Sequence, residues 1–373
     1  MKIGFDAKRL FYNKTGLGNY SRTLVANLQN RFPQNEFHLY TPSIKPEPYS
    51  NAFLDKSKFQ IHLANGISKK LWRAHLINKD LDNDGIELYH GLSNELPFGL
   101  KIKSVVTIHD LIFKIYPNTY NLIDRFIYNY KFKNSCMKAD KIIAISEHTK
   151  KDIVHHYHIE PNKIEVVYQT CNSCFIDGAE SKMDHPANTK YLLPKEYLLY
   201  VGSVEPRKNL STLINSYQYL PLEFQLPLVI IGKGKSYKLK IFNQIQQLNL
   251  KNKIIWIENL ESNEQLASIY QQAAVFIYPS LYEGFGIPII EALYSKTPVI
   301  TSNCSSLPEA AGPDSFYFNP LNPVELAETI ITALTDSTKR KIAIENGLKY
   351  AKLNFSEKIV SDKLMSIYKG LIL

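Results

Sequence analysis

The fold of this chain is constrained most by short apolar runs that alternate with stretches of helical periodicity. The strand-like runs are MKIGF, EFHLYT, IELYHG, KSVVTIHD, ADKIIAISE and NKIEVVYQ, then KEYLLYVGSV, LPLVIIGKG, NKIIWIENL, AAVFIYPS, TPVITSN and SFYFNP. Helical spacing separates them, for example in NYSRTLVANLQNRF and NEQLASIYQQA. This alternation is typical of parallel sheets with helices on both faces. It predicts an α/β protein with two doubly wound domains that face a central cleft.

The length of 373 residues also favours two domains over one. Residues 175–194, FIDGAESKMDHPANTKYLLP, interrupt the alternation with Gly, Asp, Pro and Asn, which predicts a linker. The expected domains are therefore residues 1–180 and residues 190–354.

Composition and charge exclude some classes of protein. Hydrophobic residues make up 45% of the chain and charged residues 21%, as in folded globular proteins. The net charge of +9 suits an anionic ligand or an acidic membrane; a nucleic-acid partner is not expected, because no binding module is recognisable.

Four cysteines favour a reduced, cytoplasmic setting, and CNSC is interpreted as a loop with two thiols rather than a redox pair or half of a zinc site. The N-terminus meets Asp6 before an apolar segment could form, so no signal peptide is expected.

Ligands of open α/β sheets bind beyond the carboxyl ends of the strands, so the segments that follow the strands are informative. After the first strand, Gly16 and Gly18 precede a helix whose N-terminus could hold a phosphate. A dinucleotide-binding fingerprint fits poorly, because Ser21 stands where a third glycine is expected and no acidic residue ends the next strand. A plain turn before a helix is the other interpretation.

Histidines follow two of the predicted strands. His109 comes directly after VVTI, and His90 lies in YHGLSNELP. Beside a ligand, either imidazole could contact a substrate hydroxyl or polarise a reacting group. A hydrogen-bonded structural role is an equally good interpretation of His109, and the functional case for His90 is weaker.

Adjacent cations follow the strand YLLYVGSV, where Arg207 and Lys208 precede a predicted helix. Such a pair is usually solvated surface. At a strand end it could instead clamp a diphosphate, with the arginine as a fork and the lysine as a point charge. The turn GKGKSYK after LPLVII is either a second basic loop close to a ligand or plain surface.

The segment SLYEGFGIPIIEAL combines a strand end, a glycine-rich loop and a helix start. Gly284 and Gly286 let backbone amides approach a ligand, and Pro288 suits an early helical position. Glu283 and Glu291 cannot bind phosphate themselves, so Glu291 is assigned to the hydroxyls of a ribose and Glu283 to those of a sugar. Amides that bind anions, flanked by acceptors for hydroxyls, predict a nucleotide-sugar site.

Glu283 and Glu291, with seven residues between them, resemble the E-x7-E motif of the retaining GT-B glycosyltransferases of family 4. The segments GLGNY, TIHDLIF, ADKIIAISEHTKKD, KIEVVYQ, LYVGSVEPRKNL and LVIIGKG resemble the same family at matching places. The resemblance spans almost the whole chain and is nearest to bacterial mannosyltransferases that build O-antigen or other surface polysaccharides. One departure is TCNSCF after KIEVVYQ, where many relatives have a proline-asparagine-glycine turn.

The resemblance implies two Rossmann-like domains, with the acceptor bound chiefly by the N-terminal domain and the donor by the C-terminal domain. It also implies that a final helix, near residues 355–373, packs back on the N-terminal domain. The implied catalytic residues are His109, at the donor sugar, Glu283, Arg207 and Lys208. The implied residues for donor binding are Gly16, Gly18, Gly202, Gly284, Phe285, Gly286, Ile287 and Glu291.

The expected reaction transfers a hexose, with mannose from GDP-mannose favoured, to a hydroxyl of a saccharide or lipid-linked saccharide. Retention at the anomeric carbon is implied by the resemblance alone. No cofactor or metal is expected, because no D-x-D follows a strand and Arg207 with Lys208 can neutralise the leaving phosphate. The alternatives are a UDP-sugar donor, a non-catalytic nucleotide-sugar binder and, with least support, an NAD-dependent dehydrogenase.

Basic and aromatic residues alternate in two segments, KKLWRAHLINK and RFIYNYKFKNSCMK. A helix of this composition could rest peripherally on anionic lipid at the inner face of a membrane and present a lipid-linked saccharide. A helix whose aromatic side chains pack into the domain core is at least as good an interpretation.

Overall fold

The structure, a computed structural model, describes residues 1–45, 47–64, 68–178 and 191–372. The chain divides into two compact units. The first comprises Met1–Thr170 together with Ser356–Leu373, and the second comprises Cys171–Phe355. The final helix therefore groups with the N-terminal part of the chain.

The predicted linker begins too early. Residues Ser173–Asp177 form a helix in the second unit, and the side chain of Phe175 is buried there against Tyr270. The same helix contains Cys174, whereas the sequence predicted only a loop around the two thiols. Cys171 and Cys174 form no disulfide with the other described residues, and burial raises the pKa of Cys174 to about 12, which suits a structural thiol rather than a reactive one. Residues 179–190 of the predicted linker lie outside the described residues.

The first unit is built on a seven-stranded parallel sheet with the order β3-β2-β1-β4-β5-β6-β7. The strands are β1 (Lys2–Asp6), β2 (Glu36–Thr41), β3 (Gln60–Leu63), β4 (Leu88–Gly91), β5 (Lys103–Ile108), β6 (Lys141–Ala144) and β7 (Ile164–Val166). The sequence predicted all of these except β3. That strand lies at the sheet edge and keeps every residue at least partly exposed, so its sequence, QIHL, lacks the apolar run that marks the others.

Helices cover both faces of this sheet. They are α1 (Lys8–Tyr12), α2 (Gly16–Arg31), α3 (Lys69–Leu71), α4 (Ile77–Asn83), α5 (Ile112–Ile115), α6 (Leu122–Lys138), α7 (Glu147–Tyr157) and, at the chain end, α16 (Glu357–Ile372). A π-helical turn, Trp72–Leu76, joins α3 to α4, and 3-10 turns occupy Pro48–Leu54, Pro117–Thr119 and Pro161–Lys163. One apolar core lies between the sheet and α1, α2 and α16, and a second lies between the opposite face and α4, α6 and α7.

The last helix is tied to the sheet by a buried polar chain. The hydroxyl of Tyr368 on α16 contacts Nδ1 of His90 at 2.5 Å, and Nε2 of that ring contacts Thr107 Oγ1 at 2.8 Å. The threonine in turn contacts the Tyr20 hydroxyl on α2 at 2.9 Å. Because His90 is fully buried, its pKa falls to about 3 and the ring is neutral. His90 therefore has a structural role in this unit, as the weaker functional case had suggested.

The second unit has a six-stranded parallel sheet with the order β10-β9-β8-β11-β12-β13. Its strands are β8 (Leu198–Val201), β9 (Leu228–Ile231), β10 (Ile254–Ile257), β11 (Val275–Tyr278), β12 (Val299–Ser302) and β13 (Phe316–Phe318). Its helices are α8 (Ser173–Asp177), α9 (Leu210–Ser216), α10 (Ser236–Gln247), α11 (Asn263–Gln272), α12 (Ile287–Tyr294), α13 (Leu307–Ala311), α14 (Pro323–Thr335) and α15 (Ser337–Phe355). Short 3-10 turns occupy Pro206–Lys208, Tyr217–Tyr219, Leu222–Phe224 and Lys251–Lys253.

In both sheets the direction in which successive strands are added reverses once. The reversal lies between β1 and β4 in the first sheet and between β8 and β11 in the second. The connections on the two sides of such a point run to opposite faces, which leaves a crevice at the carboxyl ends of the two strands. The fold therefore predicts a binding site among the residues that follow β1, β4, β8 and β11.

We expect Tyr368→Phe to destabilise the first unit, because it leaves Nδ1 of the buried His90 without its partner. An unsatisfied buried polar group costs about 1–3 kcal/mol of the free energy of unfolding. Each unit holds one of the two tryptophans, so in a Trp256→Phe background the fluorescence of Trp72 follows urea unfolding of the first unit alone.

The matched control for this variant is Asp362→Asn on the same helix. Its carboxylate forms a surface ion pair with Arg31, and solvent-screened pairs of this kind contribute little to stability. A urea midpoint for Tyr368→Phe that equals the wild-type midpoint would show that the polar chain does not anchor the helix.

Candidate functional site

The reversal point of the second sheet brings Arg207, Lys208 and Glu283 into contact. The cations follow β8 and the carboxylate follows β11, so adjacency of these two strands joins residues that are about 75 positions apart. Arg207 Nη1 lies 2.9 Å from Glu283 Oε2, and Lys208 Nζ lies 2.7 Å from Oε1. The lysine also donates to the Tyr278 hydroxyl at 2.5 Å, and the arginine donates to the Tyr282 carbonyl at 2.5 Å. The sequence predicted all three residues for the site but did not predict that they pair with one another.

This cluster is buried, and its charges shift the pKa of its members. Burial by itself raises the pKa of Glu283, but Lys208 and Arg207 outweigh that effect and hold it at about 2. Burial lowers the pKa of Lys208 despite the nearby carboxylate. At neutral pH the two cations share one buried carboxylate, and these three side chains carry a net charge of +1. The exposed carboxylate of Glu205 lies 3.9 Å from Arg207 and, because solvent screens it, offsets this charge only in part. Such a group can attract an anion, and its carboxylate reduces the repulsion between the two cations.

Two serines that follow β12 hydrogen-bond to the backbone of Glu283 and of the glycine-rich loop after it. Ser306 Oγ donates to the carbonyls of Glu283 and Phe285, each at 2.9 Å, and Ser305 Oγ accepts from the Glu283 amide at 3.0 Å. In a trans peptide the N–H points opposite to the C=O, so the amides of Gly284 and Gly286 point away from Ser306. These amides thus lie on the side of the loop away from Ser306, and that they bind an anion stays a prediction.

Gly286 ends this loop in a conformation that other residues avoid. Its φ of +133° marks the residue before α12, and a Cβ there would also crowd Ile289 and Ala310. The helix then begins at Ile287 with Pro288 in its first turn, where no backbone donor is needed.

Glu291 lies in the second turn of α12 and has an environment opposite to that of Glu283. Its Oε2 accepts a hydrogen bond of 3.1 Å from the Tyr270 hydroxyl on α11. Burial raises its pKa to about 7, and the tyrosine only partly offsets this. Near neutral pH this carboxyl group is therefore divided between its acid form, which donates, and its ionised form, which only accepts.

Gly202 at the end of β8 lies against the end of β9. Its amide donates to the Ile231 carbonyl at 2.9 Å, and a Cβ on Gly232 would lie 1.9 Å from the Gly202 carbonyl oxygen. The two glycines thus permit a close approach of the backbones beside Arg207. Packing therefore requires a glycine at position 232, whereas a Cβ on Gly202 would meet only ordinary contacts, the shortest 3.5 Å from the Tyr200 hydroxyl.

The remaining predicted residues lie in the first unit. His109 follows β5 and is buried, with Nε2 donating to the Leu92 carbonyl at 2.9 Å and Nδ1 3.3 Å from the Gln169 amide nitrogen. Burial lowers its pKa to about 4, the Leu92 carbonyl opposes this only in part, and the imidazole is neutral. Of the two ring nitrogens, Nδ1 has the longer contact. A substrate that hydrogen-bonds to this ring would therefore displace the Gln169 amide from Nδ1.

Gly16 and Gly18 lie in the first turn of α2, whereas the sequence placed them just before the helix. A Cβ on Gly18 would lie 1.7 Å from the Asn13 carbonyl oxygen, whereas a Cβ on Gly16 would meet open space. Gly18 is therefore explained by packing of the preceding loop on the helix. Arg22 holds the same loop by donating to the carbonyls of Leu10 and Asn13.

A second charged cluster, at the reversal point of the first sheet, was missed by sequence reasoning. Arg73 donates to Asp6, the last residue of β1, and to Glu95, which follows β4, at 2.5 and 2.8 Å. Lys131 on α6 reaches the same Glu95 oxygen at 3.2 Å. Burial tends to raise the pKa of Asp6, but Arg73 holds it below its usual value. These residues line a cavity of about 490 Å³, and the signal available in the sequence was an aspartate at the end of the first strand.

Among the described residues, one group of three side chains could hold a metal ion, namely His38, His62 and Asp84. All three belong to the first unit, on or beside β2, β3 and α4. They form a hydrogen-bonded chain, with His38 Nδ1 3.0 Å from His62 Nε2 and His62 Nδ1 3.0 Å from Asp84. The cluster around Glu283 contains two cations and one carboxylate, a set that suits an anionic ligand rather than a metal ion.

Two doubly wound parallel units of this kind define the GT-B class of glycosyltransferases. Residues 15–172 match the family model described as Glycosyltransferase Family 4, and residues 184–350 match the model described as Glycosyl transferases group 1. Together the two models cover most of the chain, which thus combines a family 4 domain with a group 1 domain of glycosyltransferases and is a transferase.

Three similar proteins agree with this assignment. The chain is 29% identical to O-antigen chain mannosyltransferase B of Escherichia coli over 99% of this chain and all of that protein. Its fold matches the crystal structure of a glycosyltransferase from Rickettsia africae with a TM-score of 0.76 at 19% identity, covering 100% of this chain and 98% of that one. It also matches Anabaena HepE, solved with UDP-glucose, with a TM-score of 0.76 at 16% identity over the whole of both chains.

Glu291 should make the stability of the second unit depend on pH. Its pKa is about 7 in the folded chain against an ordinary 4.5, so folding binds a proton between these values. The free energy of unfolding should therefore fall as pH rises from about 4.5 to about 7, by about 3 kcal/mol at 1.36 kcal/mol for each pKa unit. Glu291→Gln should remove this dependence.

Urea unfolding at several pH values, followed by Trp256 in a Trp72→Phe background, measures the effect. Glu328→Gln, which changes an exposed carboxylate of the same unit, is the control and should keep the wild-type slope. An unchanged slope in Glu291→Gln would assign the proton uptake to another group.

Proposed function

We propose that this glycosyltransferase transfers a hexose from a nucleoside diphosphate sugar to a hydroxyl of a saccharide or lipid-linked saccharide, with mannose from GDP-mannose as the favoured donor. The observation that carries the proposal is the contact of Arg207 and Lys208 with Glu283 at the reversal point of the second sheet. A net positive group beside backbone amides suits a diphosphate that gains charge when its sugar leaves.

In this proposal the charged residues and the glycine-rich loop of the second unit have separate roles. Arg207 and Lys208 direct N–H groups not used by Glu283 to the diphosphate, since a guanidinium has five donors and an ammonium three. The amides of the loop Gly284–Ile287 receive oxygens of the donor, and Glu291 accepts from the ribose hydroxyls. Glu283 holds the cations with both oxygens and has lone pairs left for a sugar hydroxyl.

In this proposal the first unit binds the acceptor, and its residue His109 contacts the donor sugar. His109 is neutral at physiological pH, so it can offer a hydrogen bond to a sugar but cannot act as a cation there. A general base with a pKa near 7 is not required if the leaving phosphate takes the proton of the acceptor hydroxyl on the same face. That route retains the configuration of the anomeric carbon, which is the outcome expected for this family.

The comparisons support two different donors. The relative from Escherichia coli is named as a mannosyltransferase of an O-antigen chain, which favours GDP-mannose and polysaccharide synthesis. HepE was solved with UDP-glucose, which favours a uridine nucleotide, although its likeness to this chain is one of fold. Calorimetric titration with GDP, UDP, ADP and dTDP distinguishes them, and selective binding of GDP is the expected result.

We expect Arg207→Ala and Glu291→Ala to weaken binding of the preferred nucleotide by about ten- to a hundredfold each. The reason is that a hydrogen bond to a charged group contributes about 1.5–3 kcal/mol. Arg207→Lys should recover part of the loss, because it keeps the charge but not the fork.

Lys349→Ala and Glu328→Ala are the matched controls, since both residues are exposed in the same unit. Circular dichroism shows whether each variant is folded before its affinity is compared. Wild-type affinity in folded Arg207→Ala and Glu291→Ala together would place the nucleotide elsewhere.

Catalysis is proposed to need no metal ion, because Arg207 and Lys208 supply the positive charge at the leaving phosphate. Nucleotide affinity and transfer should then be the same in excess chelator as with Mg²⁺ or Mn²⁺. Activity that disappears in chelator and returns with Mn²⁺ would contradict this part of the proposal while leaving the donor site intact.

A further inference from the structure

Helix α6 has an apolar face that the described part of the unit leaves uncovered. Its inward face packs Phe132 and Cys136 into the core. Its outward face exposes large apolar side chains, namely Leu122 (77% exposed), Ile123 (73%), Phe126 (74%), Ile127 (41%), Tyr130 (59%) and Met137 (57%). At about 100° per residue these six fall within about 140° of the helix circumference, so they form one continuous stripe. The packing of Phe132 into the core agrees with one interpretation of this segment, and contact with lipid, the other interpretation, stays a prediction.

The stripe is surrounded by positive charge. Helix α6 carries four cations, Arg125, Lys131, Lys133 and Lys138, against one carboxylate, Asp124. Lys133 is exposed within the arc of the stripe, and Lys138 is exposed at its border. On one side of the helix a groove is lined by Leu122, Phe126, Lys114, Arg125 and His156, which extends the basic border to neighbouring elements.

We propose that α6 is the surface by which this protein docks on an anionic lipid bilayer. A helix with exposed Phe, Ile and Leu on one face and lysines at its border is suited to the region between headgroups and acyl chains. The lysines gain further from the negative potential of anionic headgroups. A protein partner fits less well, because Lys133 stands within the stripe and lysine is depleted at the centre of protein interfaces.

The position of α6 gives the docking a reason, which rests on the proposed function. Ile127 of the stripe and Lys131 beside it also line the cavity of Asp6, Arg73 and Glu95. The docked face and this cavity are therefore contiguous in one unit. A saccharide carried on a lipid could enter the cavity while its lipid stays in the bilayer. Docking itself requires only the stripe and its cations.

Co-sedimentation of the full chain with vesicles tests the proposal. The protein should sediment with vesicles of phosphatidylcholine and phosphatidylglycerol at low salt, less at high salt, and little with phosphatidylcholine alone. The double variant Ile123→Ser/Phe126→Ser should lower the partition coefficient by at least about tenfold, because two large apolar side chains lose their burial. Lys133→Glu/Lys138→Glu should lower it by about fivefold or more for each cation lost.

The double variant Leu222→Ser/Leu321→Ser is the matched control, since these leucines of the second unit are 81% and 77% exposed. Control binding should equal that of the wild type. The proposal is overturned if the wild type binds neither vesicle, if it binds both equally, or if Ile123→Ser/Phe126→Ser binds as the wild type does. Self-association in ultracentrifugation that this variant alone abolishes, without vesicle binding, would identify the stripe as a protein interface.

Nucleotide titration of the same variants separates this proposal from the proposed function. Ile123→Ser/Phe126→Ser should bind the preferred nucleotide with wild-type affinity, because the stripe is outside the predicted donor site. A protein that binds anionic vesicles but no nucleoside diphosphate would keep the docking surface and overturn the transferase donor assignment. A protein that binds a nucleoside diphosphate but no anionic vesicles would support the donor site and overturn the docking proposal.

Discussion

The ion pairs of Glu283 with Arg207 and Lys208 are the constraint on which the site in the second unit depends. Each of the three charges is costly to bury alone, so the carboxylate and the cations must arrive together. Their arrival requires β8 beside β11, a tight loop at Gly284 and Gly286, and support of that loop by Ser306. Replacing Glu283 would leave two buried cations without their shared partner. The sheet order, the glycines and the site chemistry are thus parts of one arrangement.

The two glutamates of the E-x7-E motif illustrate how the environment assigns chemistry to identical side chains. Glu283 has two cationic partners and a pKa of about 2, whereas Glu291 has a tyrosine partner and a pKa of about 7. The first is a fixed anion at any physiological pH. The second can gain or lose a proton when a ligand replaces water around it. The proposed division, with Glu283 holding cations and Glu291 meeting hydroxyls, follows this physical difference.

The sequence predicted most of the strands because buried parallel strands are continuous apolar runs, and it failed where that signal is absent. β3 was missed since an exposed edge strand carries Gln60 and His62 instead of such a run. Of the site, Arg207, Lys208 and Glu283 were predicted individually from their positions after strands. Their pairing could not be predicted, because it depends on which strands are neighbours. Arg73 gave no signal, since it lies in a π-helical turn that only the folded chain brings to Asp6.

The reversal points of the two sheets hold related clusters with different charge, and this difference bears on which substrate each unit suits. In both, an arginine pairs with a carboxylate that lies at or after the end of a strand bordering the reversal. In the first unit the charges of the linked side chains Asp6, Glu95, Arg73 and Lys131 cancel. In the second unit two buried cations meet one buried carboxylate, and the other carboxylate, Glu205, lies 3.9 Å from Arg207 but is 55% exposed, so solvent screens it. A balanced cluster has no net attraction for an anion but offers many donors and acceptors, as a saccharide with its hydroxyls requires. A cluster with excess positive charge favours a diphosphate. The proposed separation of acceptor and donor between the units therefore has an electrostatic basis in addition to the family resemblance.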